Sequence, residues 1–202
     1  MLIAASQWRV FVTAAIVAVA MAAVSWLAFG TETWQAFFHW LPMFSQAFLT
    51  EGRAPWGKMQ SIFALVRYFG GAEQLAWVFQ WIMSATVAVG LVLIWRSRLD
   101  YSLKAAALAA GTLLVTPYLF LYDLVVLAIA VAFLVRIGLS QGFEPYELPA
   151  FGLVAALLMF YPLVGAPTGF AATLIVSGLI AGRCGLWRGT TASSGNGGVA
   201  TA

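Results

Sequence analysis

Apolar residues run almost unbroken from Val10 to Phe29 and again from Leu75 to Trp95, each about the length of one bilayer crossing, which takes roughly 20 residues. The first run exceeds the core of a signal peptide, about 7 to 15 residues, and reads as a retained span. The second stops at the basic knot Arg96, Ser97, Arg98. Shorter runs follow from about Leu103 to Val115 and from Leu124 to Leu139. A fifth, Ala150 to Val164, is introduced by Tyr146, Glu147 and Pro149, and a sixth, Gly169 to Ala181, follows Gly165, Ala166 and Pro167. The pattern predicts an all-α fold, a polytopic transmembrane helical bundle of about six spans. One membrane domain is expected over 1–188, with a disordered tail over 189–202, where Gly, Ser, Thr and Ala dominate.

Between the first two long runs, residues 30–71 are a loop with a pattern of its own. Trp34, Phe37, Phe38 and Leu41 fall at i, i+3, i+4 and i+7, a helical stripe with Thr31 or Thr33 as N-cap and Pro42 as its end. A helix so short is expected to lie flat at the membrane surface. Met59, Ile62, Phe63 and Val66 form a second stripe, closed by Gly70 and Gly71. Its polar residues carry the first candidate chemistry. Lys58 and Ser61 are expected in the first turn, behind Gly57, with Gln60 and Arg67 on one flank two turns apart. The helix dipole disfavours a lysine there, unless an anion is held jointly by the ammonium and the free backbone N–H groups. A surface lysine near lipid headgroups is the plainer alternative.

The stretch TPYLFLYD, Thr116 to Asp123, raises the second question. The third and fourth runs together occupy only about 37 residues, too few for two crossings of about 20 each plus a turn, so the turn is expected to dip into the membrane. Pro117 disfavours helical geometry at Thr116. Irregular backbone at that depth is tolerated where protein buries it or a watery cavity receives it. Asp123 is therefore expected to face a cavity, and it doubles as an N-cap for the following span. Tyr118 and Tyr122 either present hydroxyls to the same cavity or anchor at the interface.

Composition narrows the class. Hydrophobic residues make up 63% of the 202 residues and charged residues 8%, against about half and a quarter in soluble domains. No room remains for a separate soluble catalytic domain. The single cysteine, Cys184, excludes an internal disulfide and a cysteine-rich metal site, and a net charge of +3 is too small for a nucleic-acid partner. No metal and no cofactor are expected. Arg9, Arg96, Arg98, Lys104, Arg136, Arg183 and Arg188 fall on one side of a six-span arrangement, leaving Arg53, Lys58 and Arg67 on the other. Both termini are accordingly expected to be cytoplasmic and the 30–71 loop outside. The tryptophans agree, with Trp8, Trp95 and Trp187 at inner ends and Trp26, Trp34 and Trp56 at or beyond the outer end of the first span.

The order of TETWQAFFHWLP, WGKMQSIFALVRYFGG, a span ending in WRSR, and TPYLFLYDLVVLAIA resembles the C-terminal half of bacterial glycosyltransferase family 87, integral-membrane enzymes of the GT-C class. The resemblance extends from about Trp8 to Trp187. It implies transfer of a hexose, often mannose, from a polyprenyl-phosphate donor to a lipid or glycan acceptor on the outer face of a bacterial inner (plasma) membrane. It further implies that Lys58, Gln60, Ser61 and Arg67 bind the donor phosphate and that Tyr118, Tyr122 and Asp123 line the substrate cavity. Members of the class carry their catalytic acidic residue in the first outer loop of an N-terminal half that has no counterpart here, so no catalytic residue is assigned. Glu32 does not take the role. A truncated gene or a fragment, inactive without a missing N-terminal half, is the expectation. Two other classes stay open: a small transporter or channel component, for which a proline-broken span with an acid is the usual pointer, and a noncatalytic scaffold with Gly178 and Gly182 as a small-residue packing face.

Overall fold

The computed structural model describes residues 8–52 and 55–185. The 189–202 tail, Arg53, Trp187 and Arg188 lie outside the described residues. Within them the chain is helical, and an isolated antiparallel bridge between Met59 and Phe120 is the extended pairing recorded. The helices are α1 (Trp8–Ser45), α2 (Ile62–Tyr68), α3 (Glu73–Arg96), α4 (Tyr101–Val115), α5 (Val125–Gln141), α6 (Glu147–Met159), α7 (Tyr161–Val164) and α8 (Thr168–Arg183).

α1 is broken at Gly30, whose φ of 77° and ψ of 169° suit a residue without a β-carbon. Side chains bind the two halves across the break: Trp26 Nε1 donates to Thr31 Oγ1 at 2.9 Å and the Thr33 hydroxyl donates to the Phe29 carbonyl at 2.7 Å. The first half is apolar on every face and almost wholly exposed, the surface a helix offers to lipid. The second half departs from expectation, because helix continues through Pro42 to Ser45 and into a π-helical turn at Gln46–Thr50. A proline inside a helix removes one intrahelical hydrogen bond, and here the helix continues past it into the wider turn.

Six apolar helical stretches lie where six spans were expected, yet they differ in reach. Val12–Thr50, Glu73–Arg96 and Leu121–Gln141 are long and apolar enough to cross a membrane, which makes this a membrane protein; Tyr101–Val115, Glu147–Met159 and Thr168–Arg183 are shorter. At about 1.5 Å per residue the 15 residues of α4 extend about 22 Å, less than a hydrocarbon core of about 30 Å. The expected fifth span also breaks after Met159, where α7 forms a short hook ending at Gly165 in left-handed conformation, φ 62°.

α4 is the centre of the bundle, packed against α3, α5 and α8, while α6 leans on α8. Its buried face includes Ala106, Ala107, Ala110 and Gly111, small residues that admit neighbouring helices closely. A β-carbon on Gly111 would stand 2.8 Å from Leu91 Cδ1. Of the expected Gly178 and Gly182 face, Gly178 opens onto free space and Gly182 makes room for the Tyr146 hydroxyl. A second, smaller core of Leu49, Met59, Phe63, Ala64 and Ala76 lies under the 46–71 segment.

At one end of the bundle Asp100 caps α4 through the Ser102 amide at 2.6 Å. That hydrogen bond, then one from the Ser102 side chain and the charge of Arg136, holds its carboxyl below the usual carboxylate range despite some desolvation. At the same end Arg183 grips fully buried Glu147 with Nε and Nη2, each at 2.6 Å, while Nη2 also donates to the Gly142 carbonyl at 2.8 Å. Burial pushes the Glu147 carboxyl up, but the hydrogen bonds from Arg183 and the Glu144 amide, with the Arg183 charge, outweigh it and leave the group below its ordinary value.

Candidate functional site

The opposite end gathers the candidate residues. Pro55 leads into a single 3-10 turn, Trp56–Lys58, and the chain then runs extended through Met59 to Ser61, which caps α2 by accepting the Ala64 amide at 3.1 Å. Lys58 therefore stands before the helix and not in its first turn, and Gln60 precedes the cap. The shared flank expected for Gln60 and Arg67 does not exist, because Gln60 is not helical. The helix starts late because the Ser61 hydroxyl offers a better cap than any group further upstream.

The segment 57–61 is fixed from three sides. Ser61 Oγ donates to the Pro117 carbonyl at 2.8 Å, the Gln60 amide donates to the Leu119 carbonyl at 2.6 Å, and Met59 bridges Phe120. The buried Gln60 side chain spans two other elements, with Nε2 donating to the Gly57 carbonyl at 3.1 Å and Oε1 accepting the Gly169 amide at the start of α8 at 2.8 Å. From the α7 hook, the Tyr161 hydroxyl donates to the same Gly57 carbonyl at 3.0 Å. Burial raises the Tyr161 phenol above its ordinary value, so it remains a donor. Lys58 is exposed on this fixed base.

The outer-loop residues and the broken turn, read separately in the sequence, thus meet. In the turn, Asp123 accepts the Phe120 amide at 2.9 Å and belongs to a 3-10 turn, Leu121–Leu124, that leads into α5. Its carboxylate closes this turn and does not cap α5 directly. Tyr122 is 74% exposed and stacks on Phe120 with ring centroids 5.7 Å apart, whereas Tyr118 packs half-buried against the small core.

Arg67 lies in the last turn of α2. Its guanidinium donates to the Gly71 carbonyl at 3.0 Å and to the Thr50 carbonyl at 3.4 Å, and it sits over the Trp56 ring at 5.0 Å. Arg67 Nε is buried and has no hydrogen-bond partner, a donor that an acceptor oxygen would satisfy.

Below the turn, an apolar groove of about 470 Å³ runs from Leu121 and Leu124 along α5 toward Val131, with Phe151, Ala155 and Leu158 of α6 as its other wall. Tyr122 and Asp123 fall in the chain between Leu121 and Leu124, both of which line it. Among the described residues no group of acidic, histidine or cysteine side chains is arranged to hold a metal.

Sequence reasoning missed four positions, Tyr161, Gln80 and Ser84 at this end of the bundle and Arg183 at the other. Tyr161 lacks any local signal. Gln80 and Ser84, four residues apart on an otherwise apolar helix, were a visible polar pair. Arg183 was counted only as an inner-side charge, although an acid at the head of one apolar run and a base at the tail of another are candidates to meet.

The model of glycosyltransferase family 87 matches residues 1–117. The match takes in α1, the Lys58–Arg67 segment, α3, α4 and Pro117, and stops before Tyr118, Tyr122 and Asp123. No curated protein and no solved structure matches the chain. More than half of the 202 residues fit the family, and the chain belongs to glycosyltransferase family 87.

Proposed function

We propose that the chain serves a membrane glycosyltransferase that moves a hexose, mannose-like, from a polyprenyl-phosphate donor to a lipid or glycan acceptor. What supports this reading is the junction of segment 57–61, which carries Lys58, with the broken turn that carries Tyr118, Tyr122 and Asp123. In the reaction an acceptor hydroxyl attacks the anomeric carbon, the bond from that carbon to the phosphate oxygen breaks with inversion, and polyprenyl phosphate leaves with the electron pair. The hydroxyl proton goes to an acidic residue acting as general base, a task we assign to no residue of this site. Lys58 and Arg67 stabilise the charge that grows on the departing phosphate. Gln60 and Ser61 keep Lys58 in place. Tyr118, Tyr122 and Asp123 orient the sugar or acceptor, and the α5–α6 groove accommodates the hydrocarbon tail of a lipid substrate.

In this reading Lys58 and the turn face outward from a bacterial inner membrane, both termini are cytoplasmic, and Arg96, Arg98, Lys104, Arg136 and Arg183 mark the inner side. Lys58→Ala is expected to weaken binding of a polyprenyl-phosphate hexose by the full chain in lipid nanodiscs roughly tenfold or more, since hydrogen bonds to charged groups contribute about 1.5–3 kcal/mol. Arg67→Lys, which keeps the charge but loses the planar fork, is expected to retain part of the affinity that Arg67→Ala loses. Unchanged binding in both alanine variants would remove the phosphate role.

A further inference from the structure

α4 ends where a helix end is costly. Thr116 takes extended backbone, φ −86° and ψ 130°, ahead of Pro117, so the Leu114 and Val115 carbonyls lose the intrahelical donors they would otherwise have. Gln80 of α3 supplies replacements: its Nε2 lies 3.1 Å from the Leu114 oxygen and 2.9 Å from the Val115 oxygen. Ser84, one turn on, donates its hydroxyl to the Val115 oxygen at 3.2 Å. Gln80 is 2% exposed, and its own Oε1 is buried without a partner. A hydrocarbon side chain would avoid that orphaned oxygen but would strand the two carbonyls. The amide is retained for its N–H pair.

The chain that leaves α4 at this point carries the acceptors on which the candidate site depends: the Pro117 oxygen for Ser61 and the Leu119 oxygen for the Gln60 amide. Every hydrogen bond recorded for the Gln80 side chain goes to α3 or α4. We propose that Gln80 is a positioning residue: by holding the last two carbonyls of α4 it fixes the angle at which Thr116–Asp123 departs, and so the place where Tyr118, Tyr122 and Asp123 meet Lys58–Ser61. The proposal rests on the site described above. Its test reads backbone geometry instead of sugar transfer, so failure of the transfer reading and failure of this one are distinguishable.

The experiment is hydrogen exchange on the full chain in lipid nanodiscs, comparing wild type with Gln80→Glu, Gln80→Leu and Ser84→Ala at each pH. The near-isosteric Gln80→Glu gives the sharpest readout. Protonated, its carboxyl keeps one donor for the α4 carbonyls; ionised, it has none and sets a negative charge against them. The charged and titratable groups of the neighbouring elements, Glu73 on α3, Arg67 and Tyr68 on α2, Tyr101 and Lys104 on α4, and Tyr118, Tyr122 and Asp123 in the turn, are present in wild type as well, so the comparison cancels them. In this variant the Gln60 and Phe120 amides are expected to exchange at the wild-type rate at low pH. Once the carboxyl ionises they are expected to exchange about tenfold faster, with α6 and α8 amides unchanged. Gln80→Leu is expected to show the fast exchange at every pH, and Ser84→Ala a smaller rise confined to the same segments. Wild-type exchange at Gln60 and Phe120 in the Gln80 variants, or a rise spread evenly through α6 and α8, would overturn the proposal.

Discussion

Replacing Glu147 by alanine is expected to destabilise the protein by about 3–5 kcal/mol, the cost of removing one partner from a buried ion pair. Glu147 is fully buried and the Arg183 side chain is 10% exposed, so the guanidinium stranded by the substitution would lose its buried counter-charge and keep the Gly142 carbonyl and the nearby charge of Glu144. Thermal unfolding in detergent measures the loss. Glu147→Gln, which keeps the volume and one acceptor but not the charge, is expected to lie between wild type and Glu147→Ala. Replacing Glu147 and Arg183 together with leucines is expected to restore much of what either single change loses, because no unpaired charge remains. The pH dependence has a defined sign. The Glu147 carboxyl is held below its ordinary value of 4.5, so its contribution is fully present above that pH. As pH falls through the folded-state value the contribution is lost, and the wild-type and Glu147→Gln unfolding curves are expected to converge. Curves that stay apart at the lowest pH would show that the charge of Glu147 is not what separates them.

Gly57→Ala is the second substitution with a large expected effect. A β-carbon there would collide with the Gly165 carbonyl oxygen, which is backbone and cannot swing aside as a side chain can. The cost expected is about 1–3 kcal/mol from overpacking, with a larger effect on the site than on the fold. Displacing Gly57 breaks the bonds that its carbonyl accepts from Tyr161 and Gln60, and Gln60 also carries the link to Gly169. Donor binding is therefore expected to fall at least as far as in Lys58→Ala, although Lys58 itself is intact. Tyr161→Phe separates the two effects, since it removes one of the two hydrogen bonds to the Gly57 carbonyl without the collision. Wild-type binding in Gly57→Ala would mean that Lys58 does not depend on this base.

The helical class and the positions of the apolar runs were legible in the sequence because burial in lipid demands long stretches of one character. The meeting of 57–61 with the broken turn was not legible, and the two segments were read separately. Nothing in periodicity links Ser61 to Pro117, because the hydrogen bonds involved use backbone carbonyls, and every residue has one. The misreadings have local causes. Helix was expected from Lys58 because Met59 fits the stripe, yet Met59 is buried by a bridge to Phe120, which a spacing rule cannot distinguish from a helical face. Pro42 was expected to stop a helix that only bends its hydrogen bonding there. A donor-phosphate role for Gln60 was implied by the family resemblance, and its side-chain amide is engaged at both ends by backbone.

The distance along the chain between the parts of the site has a consequence in time. Gln60 waits for the Gly169 amide, 109 residues downstream, and the Gly57 carbonyl for the Tyr161 hydroxyl, 104 residues downstream. At about 5–20 residues per second of synthesis, the buried amide of Gln60 spends roughly 5–20 s without its last partner. Segment 57–61 can therefore dock on the Pro117–Phe120 turn first, and the Gln60 side chain gains its Gly169 partner only when α8, the last of the described helices, begins to emerge.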